Sequence, residues 1–376
     1  MNVIFTCGGT GGHINPAIAV ANMLRERHPD CNILFVGSKG GMEERLVPKA
    51  GYALRTIVIG GGLSRRLRWK SIKWNMKAMK RTFIATGDCK KIIQEFKPDV
   101  IVGTGGYASF PMLHAGSKMG IPTCVHEANA VPGLTTKLAA GRADKVLVTF
   151  AESAEYYAHP EKVEVVGMPV RKEFVMTQKE AARKALGLDN RPLVVSMFGS
   201  LGARDMNYAV ADMLKLEQEA GFPFQHIHSA GTSGWKWMPQ HMQSLGVDLP
   251  AGSGVEIREY IYDMPAVMAA ADVIISRAGA SSCNEIGASG TPCILIPSPN
   301  VTNDHQTKNA QLMAKIGGAV MLSEQEDMGR KIYDTVSELL ADPARLSQMS
   351  ATLRQSVVLD SAERICDIIE QFCEKP

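Results

Sequence analysis

Two stretches of this chain put glycines where an apolar run gives way to a polar one, each with a side chain of useful chemistry beside it. Val3-Ile4-Phe5-Thr6 runs into Cys7-Gly8-Gly9-Thr10-Gly11-Gly12, and His13 follows. Leu193-Val194-Val195-Ser196-Met197-Phe198 runs into Gly199-Ser200-Leu201-Gly202-Ala203, and Arg204 follows. Each reads as a strand, a glycine turn and a helix. Glycine lets backbone approach a ligand closely, and a helix start offers N–H groups with partial positive charge. That combination suits phosphate. The turns stand about half a chain apart, so the first expectation is two tandem α/β domains with a cleft between them and a nucleotide-type ligand.

The elements that must carry these turns repeat in both halves. Candidate strands in the first are 2–7, 32–37, 54–59, 99–103, 123–126 and 145–149, and in the second 193–198, 224–229, 255–260, 272–276, 293–296 and 319–322. Helical stretches separate them, which predicts parallel sheets covered on both faces. Asn15-Pro16 is expected to open a helix running to about Arg27, with the proline where its missing N–H costs nothing. A second glycine turn follows a buried strand in each half: Gly103-Thr104-Gly105-Gly106-Tyr107, and Ser276-Arg277-Ala278-Gly279 leading into Ala280-Ser281-Ser282. Ligands of such sheets sit at the carboxyl ends of the strands, where all four turns fall. The domains are expected at 1–165, joined by a C-terminal helix from about 353 to 376, and at 166–352.

With 376 residues the chain is too long for one ordinary core and suits two domains. Charged residues at 21% and apolar ones at 45% exclude a disordered or fibrous protein. No apolar run reaches the roughly 18 residues that span a bilayer, and no secretory leader is expected before the strand at Val3. The 8 cysteines show no CxxC pair or zinc spacing, which reads as reduced thiols of a cytosolic protein. No carboxylate cluster has metal spacing, so no metal and no cofactor beyond the substrates is expected.

The net charge of +3 is unevenly spread. Arg65, Arg66, Arg68, Lys70, Lys73, Lys77, Lys80 and Arg81 lie together without an acid, interleaved with Leu63, Leu67, Trp69, Trp74, Met76 and Phe83. Basic residues beside Trp, Met and Phe suit a helix lying on an anionic membrane surface, so 63–83 is expected to be the membrane contact. A solvated helix with its apolar side turned to its own core is the plainer alternative. No nucleic-acid-binding module accompanies the patch, so a nucleic-acid partner is not expected.

A dinucleotide dehydrogenase would need an acid at the end of the second strand to hold a ribose, but Ile33-Leu34-Phe35-Val36 ends in Gly37-Ser38. No Walker A lysine follows either turn, so phosphoryl transfer fails too. Taken in order, Gly8-Gly9-Thr10-Gly11-Gly12-His13, Gly105-Gly106-Tyr107, His126-Glu127-Ala128-Asn129, Gly167-Met168-Pro169-Val170-Arg171 and Asp304-His305-Gln306 resemble the peptidoglycan N-acetylglucosaminyltransferases of glycosyltransferase family 28. The resemblance spans nearly the whole chain. It implies a GT-B fold, two Rossmann-like domains whose parallel sheets face a central cleft. It further implies inverting transfer of N-acetylglucosamine from UDP-GlcNAc to the 4-hydroxyl of MurNAc in lipid I (undecaprenyl-pyrophosphoryl-MurNAc-pentapeptide), forming lipid II. The enzyme would then be peripheral on the cytoplasmic face of the cell membrane. Two other transferase-like readings stay open: a GT-B enzyme acting on diacylglycerol and a UDP-GlcNAc epimerase. A non-catalytic UDP binder is a third.

Under the resemblance the residues take roles. His13 is the candidate base for the acceptor hydroxyl, or else a cap of its own turn; Glu127 is the competing base or the group that orients His13. His126 reads as a core histidine. Thr10, Gly11 and Gly12 count among the donor contacts and, with Tyr107, border the acceptor. Ser200 and the N–H groups from Gly199 to Ala203 would receive the pyrophosphate, with Arg171 adding charge. Glu285 would accept from the ribose hydroxyls, Ile261 would offer backbone to the uracil, and Ala280, Ser281 and Ser282 complete that side. Asn129 and Gln306 would hold the sugar. Leu201, Ala128 and Thr307 depart from the family pattern, each standing where a glutamine is common.

Overall fold

The computed structural model describes residues 1–59, 84–199, 201–301 and 304–374, so the basic stretch expected to touch membrane and Ser200 lie outside the described residues. The chain divides into two compact units: Met1–Val170 with the segment from Val358 onward, and Arg171–Val357.

The first unit is a seven-stranded parallel sheet in the order β3-β2-β1-β4-β5-β6-β7. Its strands are β1 (Asn2–Thr6), β2 (Asn32–Ser38), β3 (Ala53–Ile57), β4 (Val100–Gly103), β5 (Thr123–Glu127), β6 (Lys145–Val148) and β7 (Val163–Val165). β4 and β5 are buried at every position; the unbroken apolar run of β4 is what helices on both faces demand, whereas β5 also buries Thr123, His126 and Glu127. The sheet begins at β1 and winds outward both ways: β1 pairs with β2 on one side and, through Val3 opposite Val100, with β4 on the other. That reversal places the turns after β1 and β4 side by side.

The second unit repeats the plan with six parallel strands, β10-β9-β8-β11-β12-β13. They are β8 (Leu193–Met197), β9 (Gln225–Ser229), β10 (Val255–Arg258), β11 (Val273–Ser276), β12 (Cys293–Leu295) and β13 (Ala319–Met321). Its reversal lies between β8 and β11, where Val273 stands opposite Val194.

Three local expectations are corrected. The first helix begins at Gly11, not Asn15, and runs to Arg27 with Pro16 inside it. The proline there gives no N–H to the carbonyl of Gly12, a loss that burial of Ile14, Ala17 and Val20 offsets. The C-terminal stretch is two helices, Pro343–Ser356 and Ser361–Cys373, parted at the extended Val357. Only the second docks on the first unit, burying Ile365, Cys366 and Ile369 in the core that holds Val3, Phe5 and Ile14. Leu353 belongs to the other unit, packed against Gly318. The unit boundary also falls later than 165, because Val166 and Met168 are buried in the first unit.

Candidate active site

The candidate residues fall into two groups, one per unit. In the first unit they gather where β1 and β4 end. Thr10 stands extended as the last residue before helix Gly11–Arg27, and its carbonyl accepts from the His13 and Ile14 amides at 3.1 and 3.3 Å. Gly11, Gly12 and His13 therefore form the first turn of a helix rather than a free loop, and that helix carries no acid in its first turn. His13 Nδ1 lies 2.9 Å from the carbonyl oxygen of Thr104, and Thr104 Oγ1 donates back to the carbonyl of His13 at 2.6 Å. A carbonyl only accepts, so the neutral ring carries its proton on Nδ1 and its lone pair on Nε2. That is the tautomer in which the outer nitrogen serves as a base.

The β4 turn is built to press against this histidine. Gly105 has φ +101° and its missing Cβ would stand 2.7 Å from His13 Nδ1, while a Cβ on Gly106 would collide with the carbonyl of Gly8. Ser109 Oγ reaches Thr6 O at 2.9 Å and Gly105 O at 2.6 Å, stitching the ends of β1 and β4 together. Tyr107 projects from the same turn and is 58% exposed, so it is not a core residue.

Glu127 ends β5 and is buried, but its carboxylate is occupied locally. Oε1 accepts from the backbone and side-chain amides of Asn129 at 3.0 and 2.9 Å, and Oε2 from the Gly133 amide at 3.0 Å. The structure thus brings Glu127 and Asn129 together and makes the carboxylate the organiser of the 129–133 loop. His126 is buried, and its Nε2 meets the carbonyl of Gly167 at 2.8 Å. Desolvation holds its ring below the usual imidazole range.

In the second unit, β8 leads to Gly199 and Gly202, both at positive φ, and helix Arg204–Glu219 follows. A side chain at Gly202 would collide with the carbonyl of Ala230, so the turn is packed onto the end of β9. Ala280, Ser281 and Ser282 are the first turn of helix Ala280–Ser289, which no side chain caps. Its leading N–H groups are therefore available to an anion. Glu285 lies one turn further on, half-buried; desolvation pushes its carboxyl up to about 7 against the opposing charge of Arg171. Arg171 is exposed, its guanidinium over the ring of Phe174 at 5.0 Å. Gln306 is the second residue of helix His305–Lys315, and its Oε1 accepts from the Ser298 amide at 2.9 Å. Asn309, on the same helix, donates to the carbonyl of Ala278 at 3.0 Å and so ties this helix to the β11 turn. The side chain of Ile261 is buried, which leaves only its backbone for a base.

Sequence reasoning passed over Thr104, Ser109, Asn309 and the buried Glu43. Thr104 and Ser109 frame a recognised glycine turn, the one available signal. No group of three His, Cys, Asp or Glu side chains placed to hold a metal ion occurs among the described residues, and no helix among them is long and apolar enough to cross a membrane.

Two parallel-sheet units with glycine turns at each reversal, one presenting an oriented histidine and the other uncapped helix starts, define a two-domain glycosyltransferase of the GT-B plan. Residues 3–148 match the glycosyltransferase family 28 N-terminal domain and residues 193–365 the family 28 C-terminal domain. The chain belongs to glycosyltransferase family 28. It is 38% identical over 374 residues to the UDP-N-acetylglucosamine–N-acetylmuramyl-(pentapeptide) pyrophosphoryl-undecaprenol N-acetylglucosamine transferase of Acetivibrio thermocellus, covering 99% of this chain and 98% of that one. The enzyme of the same name from Moorella thermoacetica is 38% identical, with 100% of each chain covered. Among solved structures, Acinetobacter baumannii MurG superposes with a TM-score of 0.75 at 27% identity, covering 98% of this chain and 99% of its own. A UDP-GlcNAc 2-epimerase from Neisseria meningitidis shares the fold at a TM-score of 0.67 and 14% identity, over 99% and 100% of the two chains.

Proposed function

We propose that this chain transfers N-acetylglucosamine from UDP-GlcNAc to the MurNAc 4-hydroxyl of lipid I, with inversion, forming lipid II. The full-length relatives at 38% identity, named for this transfer, support the substrates. The observation that carries the chemistry is the contact between His13 Nδ1 and the carbonyl of Thr104, which leaves Nε2 as the basic nitrogen.

The step then runs as a direct displacement. His13 Nε2 takes the proton of the acceptor hydroxyl while that oxygen bonds to the anomeric carbon; the bond from that carbon to the UDP oxygen breaks, and the electron pair leaves with UDP. Attack opposite the leaving group inverts the anomeric centre. UDP departs with growing negative charge, which N–H groups at a helix start and an arginine stabilise. The turn at Gly199–Ala203, the start of helix Ala280–Ser289 and Arg171 supply these in the second unit. Glu285 receives the ribose hydroxyls and Gln306 the sugar; Glu127 acts by holding Asn129 and its loop. The acceptor is a lipid, and the basic, Trp-bearing stretch at 63–83 suits an anionic surface, so the enzyme works as a peripheral protein on the cytoplasmic side of the membrane. No metal or cofactor enters this scheme.

The test is transfer of labelled sugar from UDP-GlcNAc to a soluble lipid I analogue, beside UDP-galactose and a reaction without acceptor. Acceptor-dependent transfer from UDP-GlcNAc alone is the expected result. Release of UDP without acceptor would overturn the proposal in favour of an epimerase, and UDP binding without transfer in favour of a non-catalytic binder.

A further inference from the structure

Glu43 opens helix Glu43–Lys49, a place where carboxylates are ordinarily solvated, yet its side chain is fully buried. Oε1 accepts from the Ser38 amide at 3.1 Å, from Ser38 Oγ at 2.8 Å and from the Gly9 amide at 3.3 Å. Oε2 is buried without a hydrogen-bond partner among the described residues. Glycines make the room for it. A Cβ on Gly8 would stand 2.9 Å from Oε1, one on Gly37 2.8 Å from Cγ, and one on Gly41 would collide with Oε2. The ends of β1 and β2 and the turn before helix Glu43–Lys49 thus close on one carboxylate.

Such burial is unfavourable for a charge, and an apolar side chain would fill the space without it. The carboxylate does what an apolar group does not: it holds the backbone of Gly9. Gly9 precedes Thr10, whose carbonyl receives the first amides of the helix that bears His13. Thr104 grips His13 from the turn after β4, and Glu43 grips the backbone of the same glycine turn from the start of helix Glu43–Lys49.

We propose that Glu43 is a positioning residue for sugar transfer, fixing the first glycine turn so that the His13 ring meets Thr104 in its base-competent tautomer. This rests on the reading of His13 as the base. Glu43 touches no substrate; its effect passes through Gly9.

The experiment compares Glu43→Ala, Glu43→Asp and Glu43→Gln in steady-state transfer from UDP-GlcNAc to the soluble lipid I analogue, with 15N imidazole resonances of His13 recorded on the same proteins. Glu43→Ala should lower kcat by roughly 10²-fold, the scale on which small misplacement of a reacting group acts, with KM for UDP-GlcNAc unchanged. Its His13 resonances should lose the signature of a ring protonated at Nδ1. Glu43→Asp keeps the charge but withdraws the oxygen from Gly9, so it should fall between Glu43→Ala and the parent in both readouts. Glu43→Gln keeps an accepting oxygen and should restore most of kcat and the parent tautomer. Parent kcat and parent His13 resonances in Glu43→Asp and Glu43→Ala would overturn the proposal, as would a loss confined to KM. Should Glu43→Ala fail to fold, Glu43→Asp decides. A parent protein that binds UDP but transfers nothing would instead overturn the functional reading, and the His13 resonances would still decide what Glu43 positions.

Discussion

Thr104 binds His13 at two points, accepting from the ring through its carbonyl and donating from its hydroxyl to the His13 carbonyl, 2.9 and 2.6 Å away. The imidazole is therefore fixed in rotamer and tautomer before any ligand arrives. Replacing His13 with Ala should lower turnover by roughly 10²–10⁴, the usual worth of a positioned base. Calorimetric affinity for UDP should be unchanged, since the contacts proposed for the pyrophosphate, ribose and uracil lie in the other unit. Thr104→Val keeps the carbonyl but loses the hydroxyl, so it should cost about 1 kcal/mol of stability and a smaller part of kcat. Full turnover in His13→Ala would remove the base from the scheme.

As the proposed ribose contact, Glu285 should make donor affinity pH-dependent. Desolvation raises its carboxyl to about 7 while Arg171 pulls the other way. Acceptance from two ribose hydroxyls needs the ionised form, so UDP affinity should rise as pH increases through that value and level off above it. Arg171→Ala removes the opposing cation and should move the rise to higher pH. Glu285→Ala should weaken UDP by about 1.5–3 kcal/mol, as for a lost hydrogen bond to a charged group. The stability effect has the opposite sign. A carboxyl raised on folding stabilises the neutral form, a contribution present below its unfolded pKa and lost as pH climbs through 7. Glu285→Gln should thus raise Tm relative to the parent at alkaline pH and leave it little changed in acid. Titration calorimetry and thermal melts across pH check both signs, and a flat UDP affinity would rule Glu285 out of the ribose contact.

What was legible in the sequence follows from how local each signal is. β4 and β11 announce themselves as Val and Ile runs because a parallel strand covered on both faces is apolar throughout. β7 does not, for Val163-Glu164-Val165 is a three-residue edge with a carboxylate in the middle. The early start of the first helix was hidden because Gly11, Gly12 and Pro16 all oppose helix locally, while the contact of His13 with a residue 91 positions later helps to hold that turn. His13 itself could be picked from its glycine neighbours, but Thr104 as its partner could not. Nor could the capture of Glu127 by Asn129 and Gly133, since an acid at a strand end reads equally as base or as loop anchor. Nothing beside Glu43 in the sequence marks it as buried; its burial depends on Gly37 and Gly41 nearby and on Gly8 from the end of β1, which only the fold brings up to it.

The membrane contact is tested at Arg65, Arg66 and Arg68, whose positions lie outside the described residues. Each basic residue close to an anionic surface contributes about 1 kcal/mol of binding. Changing all three to Gln should therefore weaken sedimentation with phosphatidylglycerol vesicles about a hundredfold, consistent with two to three such contributions. Transfer to the soluble lipid I analogue should be unaffected, while transfer to lipid I in vesicles should fall. If vesicle binding survives at parent strength, 63–83 is a solvated helix.

Acid should unfold the second unit through His228. This ring is fully buried, and its Nδ1 meets Ser196 Oγ at 2.7 Å; the same hydroxyl meets His226 Nε2 at 2.8 Å, and His226 Nδ1 meets Glu217 Oε1 at 2.8 Å. Read from the carboxylate, the protons run one way: His226 donates to Glu217, Ser196 to His226, and His228 to Ser196. His228 Nε2 is left buried without a partner among the described residues, so a second proton on that ring would go unsolvated. Desolvation first, and then His226 beside it, push the His228 pKa down to about 3. A folded pKa below the unfolded value of about 6.5 gives stability that is complete above 6.5 and is lost as pH falls, by about 1.4 kcal/mol per pH unit until the folded value is reached. His228→Asn supplies an amide N–H for Ser196 but does not titrate. It should cost some stability near neutrality and flatten the acid limb, so that the parent and the variant converge as pH falls. Thermal melts between about pH 4.5 and 7.5 measure this difference directly. Parallel acid limbs in the two proteins would mean that another buried group takes up the proton.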